Sequence, residues 1–206
     1  MTRTPKTPTA LLTGFEPFGG EDENPSRQIA LALDGALIGG HRVVSATLPT
    51  EFARAPVELD ALIARHGPAL VLAVGQAGGR AEIALERIAV NLIDARIPDN
   101  AGARPSDVAV VAGGPNAYFS TLPLKAMLRA LQAANIPAAL SHTAGTFVCN
   151  QVFYTLARCL ARTRRRVRGG FIHVPYLPEQ AANHPGAEPA ARNDDRSDPH
   201  LPRHCA

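Results

Sequence analysis

The run ALVLAVG, residues 69–75, restricts the fold of this chain more than any other segment. All of its side chains are apolar or absent, and it ends at a glycine. A short strand with this pattern is buried on both faces, which happens almost only in sheets that are covered by helices on both sides. The run therefore predicts a strand inside an α/β sheet.

Strand and helix patterns alternate around this run. The other segments that read as strands or extended chain are 9–15, 41–49, 82–92, 138–143 and 169–175. Helical patterns follow the cap at Asn24 with Pro25, cover 51–68, include Leu124 to Leu131, and cover 147–163. This alternation predicts one three-layer α/β domain over residues 1–180, with a twisted, mostly parallel sheet and helices on both faces.

Residues 181–206 differ in composition from the rest of the chain. They contain four prolines and one large aliphatic residue, Leu201. Such a segment cannot bury enough apolar surface to offset the entropy of ordering it, so a mostly disordered tail is predicted. The Arg, Pro, Asp and His content resembles an out-of-frame reading of a GC-rich gene, which suggests a frameshift near residues 184–188.

Composition excludes several classes of protein. Hydrophobic residues make up 46% of the chain and charged residues 19%, with a net charge of +3, as in ordinary globular proteins. No signal or membrane segment is evident at the N-terminus, and the three cysteines follow no metal-ligand or disulfide spacing. We therefore expect a cytoplasmic protein with reduced thiols, no metal and no membrane partner. The arginine cluster at 162–168 is interpreted as a solvated helix end, not as a nucleic-acid site.

Cys149 is the strongest candidate for chemistry. It lies in TAGTFVCNQVFYTL, residues 143–156, where a turn leads into the first turn of a helix. The free N–H groups and the dipole at that position favour a thiolate and lower a thiol pKa. Cys149 also continues the apolar stripe of Val152 and Leu156, so a packing role remains open. Cys159, deeper in the helix, is assigned to the core.

A nucleophilic cysteine needs a histidine base and often an orienting carboxylate. His142 lies near Cys149 in the sequence, and His173 lies in an apolar strand that Pro175 ends. A histidine in such a strand is more often a core residue with a hydrogen-bond partner than a base. Composition does not choose among the carboxylate candidates, which are Glu82, Glu86, Asp94 and Asp99.

Six segments together resemble the pyroglutamyl peptidase type I family of cysteine peptidases. They run in the family's order over about residues 9–180 and are LLTGFEPFGG with NPS, VGQAGGRAEI, ERIAVNLIDARIPDNAG, GGPNAYFSTLP, IPAALSHTAGTFVCNQVFY and RGGFIHVPYLPEQ. The resemblance implies a Cys149 nucleophile, a His173 base and Glu86 as the third catalytic member. Glu82 matches a position outside this triad.

The resemblance also implies a substrate pocket. Phe15 and Phe18 match aromatic residues that contact the pyrrolidone ring, and Arg96 matches an arginine near the active site that helps to stabilise an oxyanion. Other matching pocket positions are Asn24, Thr50, Gln76 and Val148.

The family resemblance implies removal of N-terminal pyroglutamate from peptides through a thioester intermediate. It further implies no cofactor, a cytoplasmic location and a homo-oligomer, either a dimer or a tetramer.

Two alternative functions remain. One is an inactive or poorly folded relative that acts as a binding or scaffold subunit, because the family's C-terminal helix is missing. The other is a cysteine amidase that acts on different N-acyl groups.

Overall fold

The structure of the protein is a computed structural model that describes residues 7–163 and 166–183. Its strands are β1 (Thr9–Phe15), β2 (Leu37–Ile38), β3 (His41–Leu48), β4 (Leu70–Gln76), β5 (Ile83–Glu86), β6 (Ile88–Val90), β7 (Ala117–Phe119), β8 (Ala138–Ser141) and β9 (Arg168–Val174). Its helices are α1 (Pro25–Leu33), α2 (Ala55–His66), α3 (Leu124–Ala133), α4 (Val148–Arg162) and α5 (Pro178–Asn183).

The main sheet has seven strands in the order β2-β3-β1-β4-β9-β5-β8. The pairs β3–β1, β1–β4, β4–β9 and β5–β8 are parallel. The edge pair β2–β3 and the inner pair β5–β9 are antiparallel. Strands β6 and β7 form a separate antiparallel ribbon.

Strand β4 shows why the sheet needs helices on both sides. Val71 and Ala73 belong to the larger core, to which α2 and α4 contribute. Val74 and the partly buried Leu72 belong to a second cluster, to which α1 contributes. Because successive side chains point to opposite faces, the apolar run must be covered twice. The predicted α/β fold with a mostly parallel sheet is therefore confirmed.

Three features of the fold differ from the prediction. The extended segment 82–92 is divided between two sheets, with β5 in the main sheet and β6 in the ribbon. Strand β5 also runs antiparallel to β9, a direction that no local pattern in the sequence encodes. Helix α2 begins at Ala55, later than the predicted start at residue 51.

No helix in the described ranges is long and apolar enough to cross a membrane.

Helix α5 crosses the predicted boundary between domain and tail at residue 180. Its residue Gln180 is 7% exposed and donates to Glu21 Oε2 at 2.9 Å and to the Glu23 carbonyl at 3.1 Å. Polar contacts therefore attach α5 to the loop that follows β1, which a search for apolar side chains does not detect. Helix α5 itself ends at Asn183, beyond that boundary. The remainder of the predicted tail, and the suggested frameshift position, lie outside the described residues.

Candidate active site

A pocket of about 1000 Å³ opens beyond the carboxyl ends of β4 and β9. Ligands of open α/β sheets bind at this edge. The pocket is lined by both Cys149 and His173, which the sequence singled out as nucleophile and base candidates. Three other residues predicted for the site or its pocket share this lining, namely Phe18, Gln76 and Arg96.

Helix α4 presents Cys149 to the pocket from its first turn. Gly145 has a φ of +75°, in the left-handed region that glycine adopts readily, and turns the chain from β8 toward the helix. Phe147 is the N-cap residue, and none of the described side chains caps this helix terminus. The N–H groups at the start of α4 therefore remain available next to Cys149.

Gly75 provides the space that the thiol occupies. A Cβ at this position would lie 3.0 Å from Cys149 Sγ and 2.8 Å from Cζ of Phe171. Gly75 is paired with His173 in the β4–β9 register. Neighbouring strands lie about 4.8 Å apart, so the thiol rests beside the strand position that carries the imidazole.

The antiparallel pairing of β5 with β9 brings a carboxylate to His173. Glu86 is paired with Phe171, two residues before His173, so the side chains of Glu86 and His173 are diagonal neighbours on one face of the sheet. Residue Ala84, directly opposite His173, is small. His173 Nδ1 lies 2.8 Å from Glu86 Oε1, and the imidazole is 5% exposed.

Glu86 is fully buried, and its two oxygens are in different situations. Oε1 is within hydrogen-bonding distance of His173 and of Arg80 Nη1, at 2.8 and 3.3 Å. Oε2 is buried and has no hydrogen-bond partner among the described residues. The other carboxylate candidates are placed differently. Glu82 precedes β5, Asp94 is exposed at the pocket rim, and Asp99 accepts hydrogen bonds from the backbone of its own loop.

Burial raises the pKa of the Cys149 thiol to about 12, and the negative charge of Glu86 contributes to the rise. The sequence predicted a lowered pKa from the helix N-terminus. The backbone N–H of Cys149 does lower the pKa of the thiol, but its effect is smaller than the effects that raise it. Desolvation of the thiol outweighs the effect of this N–H group. A reactive thiolate here therefore requires a positive charge nearby, which the imidazolium form of His173 can supply.

The aromatic residues of the site have separate roles. Phe18 lines the pocket, and its ring lies 6.0 Å from that of Phe147, which lines it too. Phe147 in turn makes an edge contact with Phe52 at 5.1 Å. Phe15 is 1% exposed and packs behind the site, with its ring 6.2 Å from that of Phe171. Sequence reasoning did not include Phe147, although it lies in the same TAGTFVCN segment as the cysteine.

The remaining predicted pocket residues support its wall. Asn24 caps α1, and its side-chain amide donates to the Glu16 carbonyl, which also accepts from Thr50 Oγ1 at 2.9 Å. Together they hold the loop that carries Phe18. Val148 is fully buried in the main core.

Two residues considered from the sequence lie elsewhere. His142 is exposed, and Cys159 is partly buried on α4, where burial raises its pKa. Within the described residues, no group of histidine, cysteine and carboxylate side chains could hold a metal ion.

Comparison with known proteins agrees with the resemblance noted in the sequence. The family model described as pyroglutamyl peptidase matches residues 9–195. A pyrrolidone-carboxylate peptidase of Cupriavidus taiwanensis is 59% identical over 180 residues, which is 87% of this chain and 83% of the relative. Pyrrolidone-carboxylate peptidase 1 of Ralstonia nicotianae is 56% identical over 91% of this chain and 86% of its own.

Solved structures give the same result. Pyroglutamyl peptidase I of Bacillus amyloliquefaciens superposes with a TM-score of 0.84 at 46% identity, covering 89% of this chain and 87% of that chain. A mutant pyrrolidone carboxyl peptidase of Pyrococcus furiosus gives 0.83 at 46% identity, covering 85% and 84%.

Gly75→Ala should slow alkylation of Cys149 by iodoacetamide at neutral pH by roughly ten-fold or more. The added methyl group displaces the thiol from its place beside His173, and misplacement of about 1 Å has effects of this size. The rate is measured by mass spectrometry of the labelled peptide, with Cys159 of the same sample as the internal control. Equal labelling of Cys149 in variant and wild type would show that the space at Gly75 does not position the thiol.

Proposed function

This chain belongs to the pyroglutamyl peptidase family, and we propose that it removes N-terminal pyroglutamate (5-oxoproline) from peptides through a Cys149–His173–Glu86 triad. It is a hydrolase of the cysteine omega-peptidase class. The observation that best supports the triad is the hydrogen-bonded pair of His173 and buried Glu86 in the pocket that Cys149 lines.

The first half of the reaction forms a thioester. The Cys149 thiol gives its proton to His173, and the thiolate attacks the carbonyl carbon that joins the pyroglutamyl ring to the next residue. The imidazolium then donates this proton to the leaving amine. The carbon–nitrogen bond breaks, the carbon–sulfur bond remains, and the shortened peptide departs.

The second half hydrolyses the thioester. His173, now neutral, takes a proton from water, and the resulting hydroxide attacks the thioester carbon. The carbon–sulfur bond breaks, 5-oxoproline leaves, and the proton returns to Cys149. Glu86 accepts the Nδ1 hydrogen of His173 in both halves, so it fixes the tautomer in which Nε2 exchanges protons.

Both tetrahedral intermediates carry an oxyanion. The N–H groups at the start of α4 have no side-chain cap and lie in the same helical turn as Cys149, so they can donate to this oxygen. Arg96 lines the same pocket and adds positive charge there.

Ring recognition follows from the walls of the pocket. Phe18 and Phe147 form an apolar slot of the kind that suits a small, uncharged ring. Gln76 is 6% exposed and offers an amide to the lactam group. Phe15, Asn24, Thr50 and Val148 act from behind by holding this slot in shape.

We also propose a cytoplasmic location and a homo-oligomeric state. A thiol nucleophile must stay reduced, and both cysteines among the described residues are free. The homo-oligomeric state follows from the family resemblance, and Phe119, which is 67% exposed at the end of β7, is one apolar side chain that a second subunit could cover.

Turnover of pyroglutamyl-aminomethylcoumarin, followed by fluorescence, tests the proposed activity. We expect release of the coumarin from this substrate and none from the acetyl and prolyl analogues, because neither presents a lactam ring. A folded protein that cleaves no substrate would favour the inactive binding subunit, and cleavage of the acetyl analogue alone would favour a different cysteine amidase.

Cys149→Ser should abolish turnover without loss of folding, because an alcohol is a far weaker nucleophile than a thiolate. Cys159→Ser, the matched control on the same helix, should retain most activity. Activity is measured with the coumarin substrate and folding by circular dichroism. Full activity of the Cys149 variant would show that Cys149 takes no part in the reaction.

Glu86→Gln should lower kcat/KM by about 10²–10³. The loss in a serine triad is about 10⁴, and a cysteine depends less on its base. The negative charge of Glu86 raises the pKa of Cys149, and a carboxylate next to an imidazole in general favours its charged form. Both limbs of the pH profile should therefore move to lower pH in this variant.

Glu82→Gln is the control for Glu86→Gln, since Glu82 lies in the same segment but outside β5. We expect activity and a pH profile close to those of the wild type. If the Glu82 variant were inactive and the Glu86 variant active, the third member of the triad would be Glu82.

A further inference from the structure

Arg80 forms an ion pair with Glu86 but is not a member of the proposed triad. It lies in the glycine-rich loop between β4 and β5, and its side chain is 37% exposed. Its Nη1 lies 3.3 Å from Glu86 Oε1 and 3.3 Å from Ser141 Oγ. Apart from His173, it is the only ion-pair partner of Glu86 among the described residues.

The environment of Glu86 shows why this cation matters. The carboxylate is fully buried, and one of its oxygens has no hydrogen-bond partner within the described chain. A neutral imidazole supplies a hydrogen bond but no charge. An ionised carboxylate in such a place is costly unless a cation compensates it, and otherwise it takes up a proton.

The position of Arg80 also connects two strand ends. Glu86 and Ser141 are the last residues of β5 and β8 and are paired in register. Ser141 Oγ donates to the Thr143 carbonyl at 3.0 Å, in the turn that leads to α4. One guanidinium nitrogen therefore contacts both the carboxylate and the residue from which the turn toward Cys149 begins.

We propose that Arg80 is a positioning residue that holds the Glu86 carboxylate directed at His173 and supplies the fixed positive charge beside it, and that it thereby sets the pH range in which Cys149 is reactive. This inference rests on the proposed function for its role in turnover. Its effect on the thiol depends only on the geometry of Arg80, Glu86, His173 and Cys149.

Other charged or titratable groups face the same pocket from the loops around it. They are Glu21, Asp94, Arg96, Arg104 and Tyr176. Of these, Arg104 donates through Nε to the Ala95 carbonyl, and Asp94 accepts from Ser106. Glu86 forms no ion pair with any of the five, so the charge nearest to the carboxylate is that of Arg80.

The sign of the expected effect follows from electrostatics. Loss of a fixed positive charge increases the proton affinity of the whole Glu86, His173 and Cys149 cluster, so each step of its titration moves to higher pH. The exposed side of Arg80 is screened by solvent, which limits the displacement to about 0.5–1 pH unit. We expect Glu86→Gln to move the same limbs in the opposite direction, so the two variants can be compared for the sign of the effect.

The experiment compares Arg80→Gln and Arg80→Lys with the wild type and with Arg42→Gln. Arg42 lies at the opposite edge of the sheet, where it pairs with Thr9 at the start of β1. Two profiles are recorded against pH, namely the rate of iodoacetamide labelling of Cys149 and kcat/KM for pyroglutamyl-aminomethylcoumarin. We expect Arg80→Gln to move the acidic limb of both profiles to higher pH and to lower kcat more than it raises KM. In Arg80→Lys the limbs should lie part of the way back toward their wild-type positions, and in Arg42→Gln they should not move.

Unchanged limbs in Arg80→Gln would overturn the proposal. If KM rose while the limbs stayed in place, Arg80 would be a substrate contact at the pocket rim instead. The labelling profile needs no substrate, so it tests Arg80 even if the protein failed to cleave pyroglutamyl peptides. Failure of the proposed function and failure of this inference are therefore distinguishable.

Discussion

The site depends on a buried carboxylate placed next to an imidazole by one antiparallel strand pair. Strand β5 runs against β9, and the resulting register sets Glu86 diagonal to His173 on the face covered by α4. Because β5 runs against β9, it enters the sheet at the pocket edge, and its last residue, Glu86, lies opposite Phe171, deeper in the sheet than His173. The reversed direction of β5 therefore places the carboxylate next to the imidazole but deeper in the sheet, where it is buried.

The same arrangement has two opposing effects on the proposed nucleophile, Cys149. Burial and the charge of Glu86 both raise the pKa of Cys149, yet the same carboxylate is hydrogen-bonded to the imidazole that accepts the thiol proton in the proposed mechanism. In the proposed mechanism, the thiolate therefore forms as one half of an ion pair with His173 and not as an isolated anion. Gly75 makes this pairing possible, because a side chain there would occupy the place of the thiol.

The sequence predicted the layers of the fold better than the direction of its strands. The apolar run of β4 requires two covered faces, and Asn24 with Pro25 marks the start of α1, so both are encoded locally. The direction of β5 is set by partners far along the chain, which no local pattern records. For the same reason, the residue types left four carboxylates open, and only the family resemblance favoured Glu86.

Residues that act through others were the hardest to find from the sequence. Arg80 follows two glycines, and its segment GQAGGR reads as a turn, so nothing local connects it with a glutamate buried beyond Ile83. Gln180 is a similar case, since its contacts with Glu21 and Glu23 join α5 to the loop that carries Phe18. Both side chains are polar and bind polar groups of distant segments, whereas sequence patterns report mainly where apolar surface is buried. The polar framework around this pocket is therefore a property of the folded chain, and it extends past the point where the apolar pattern ends.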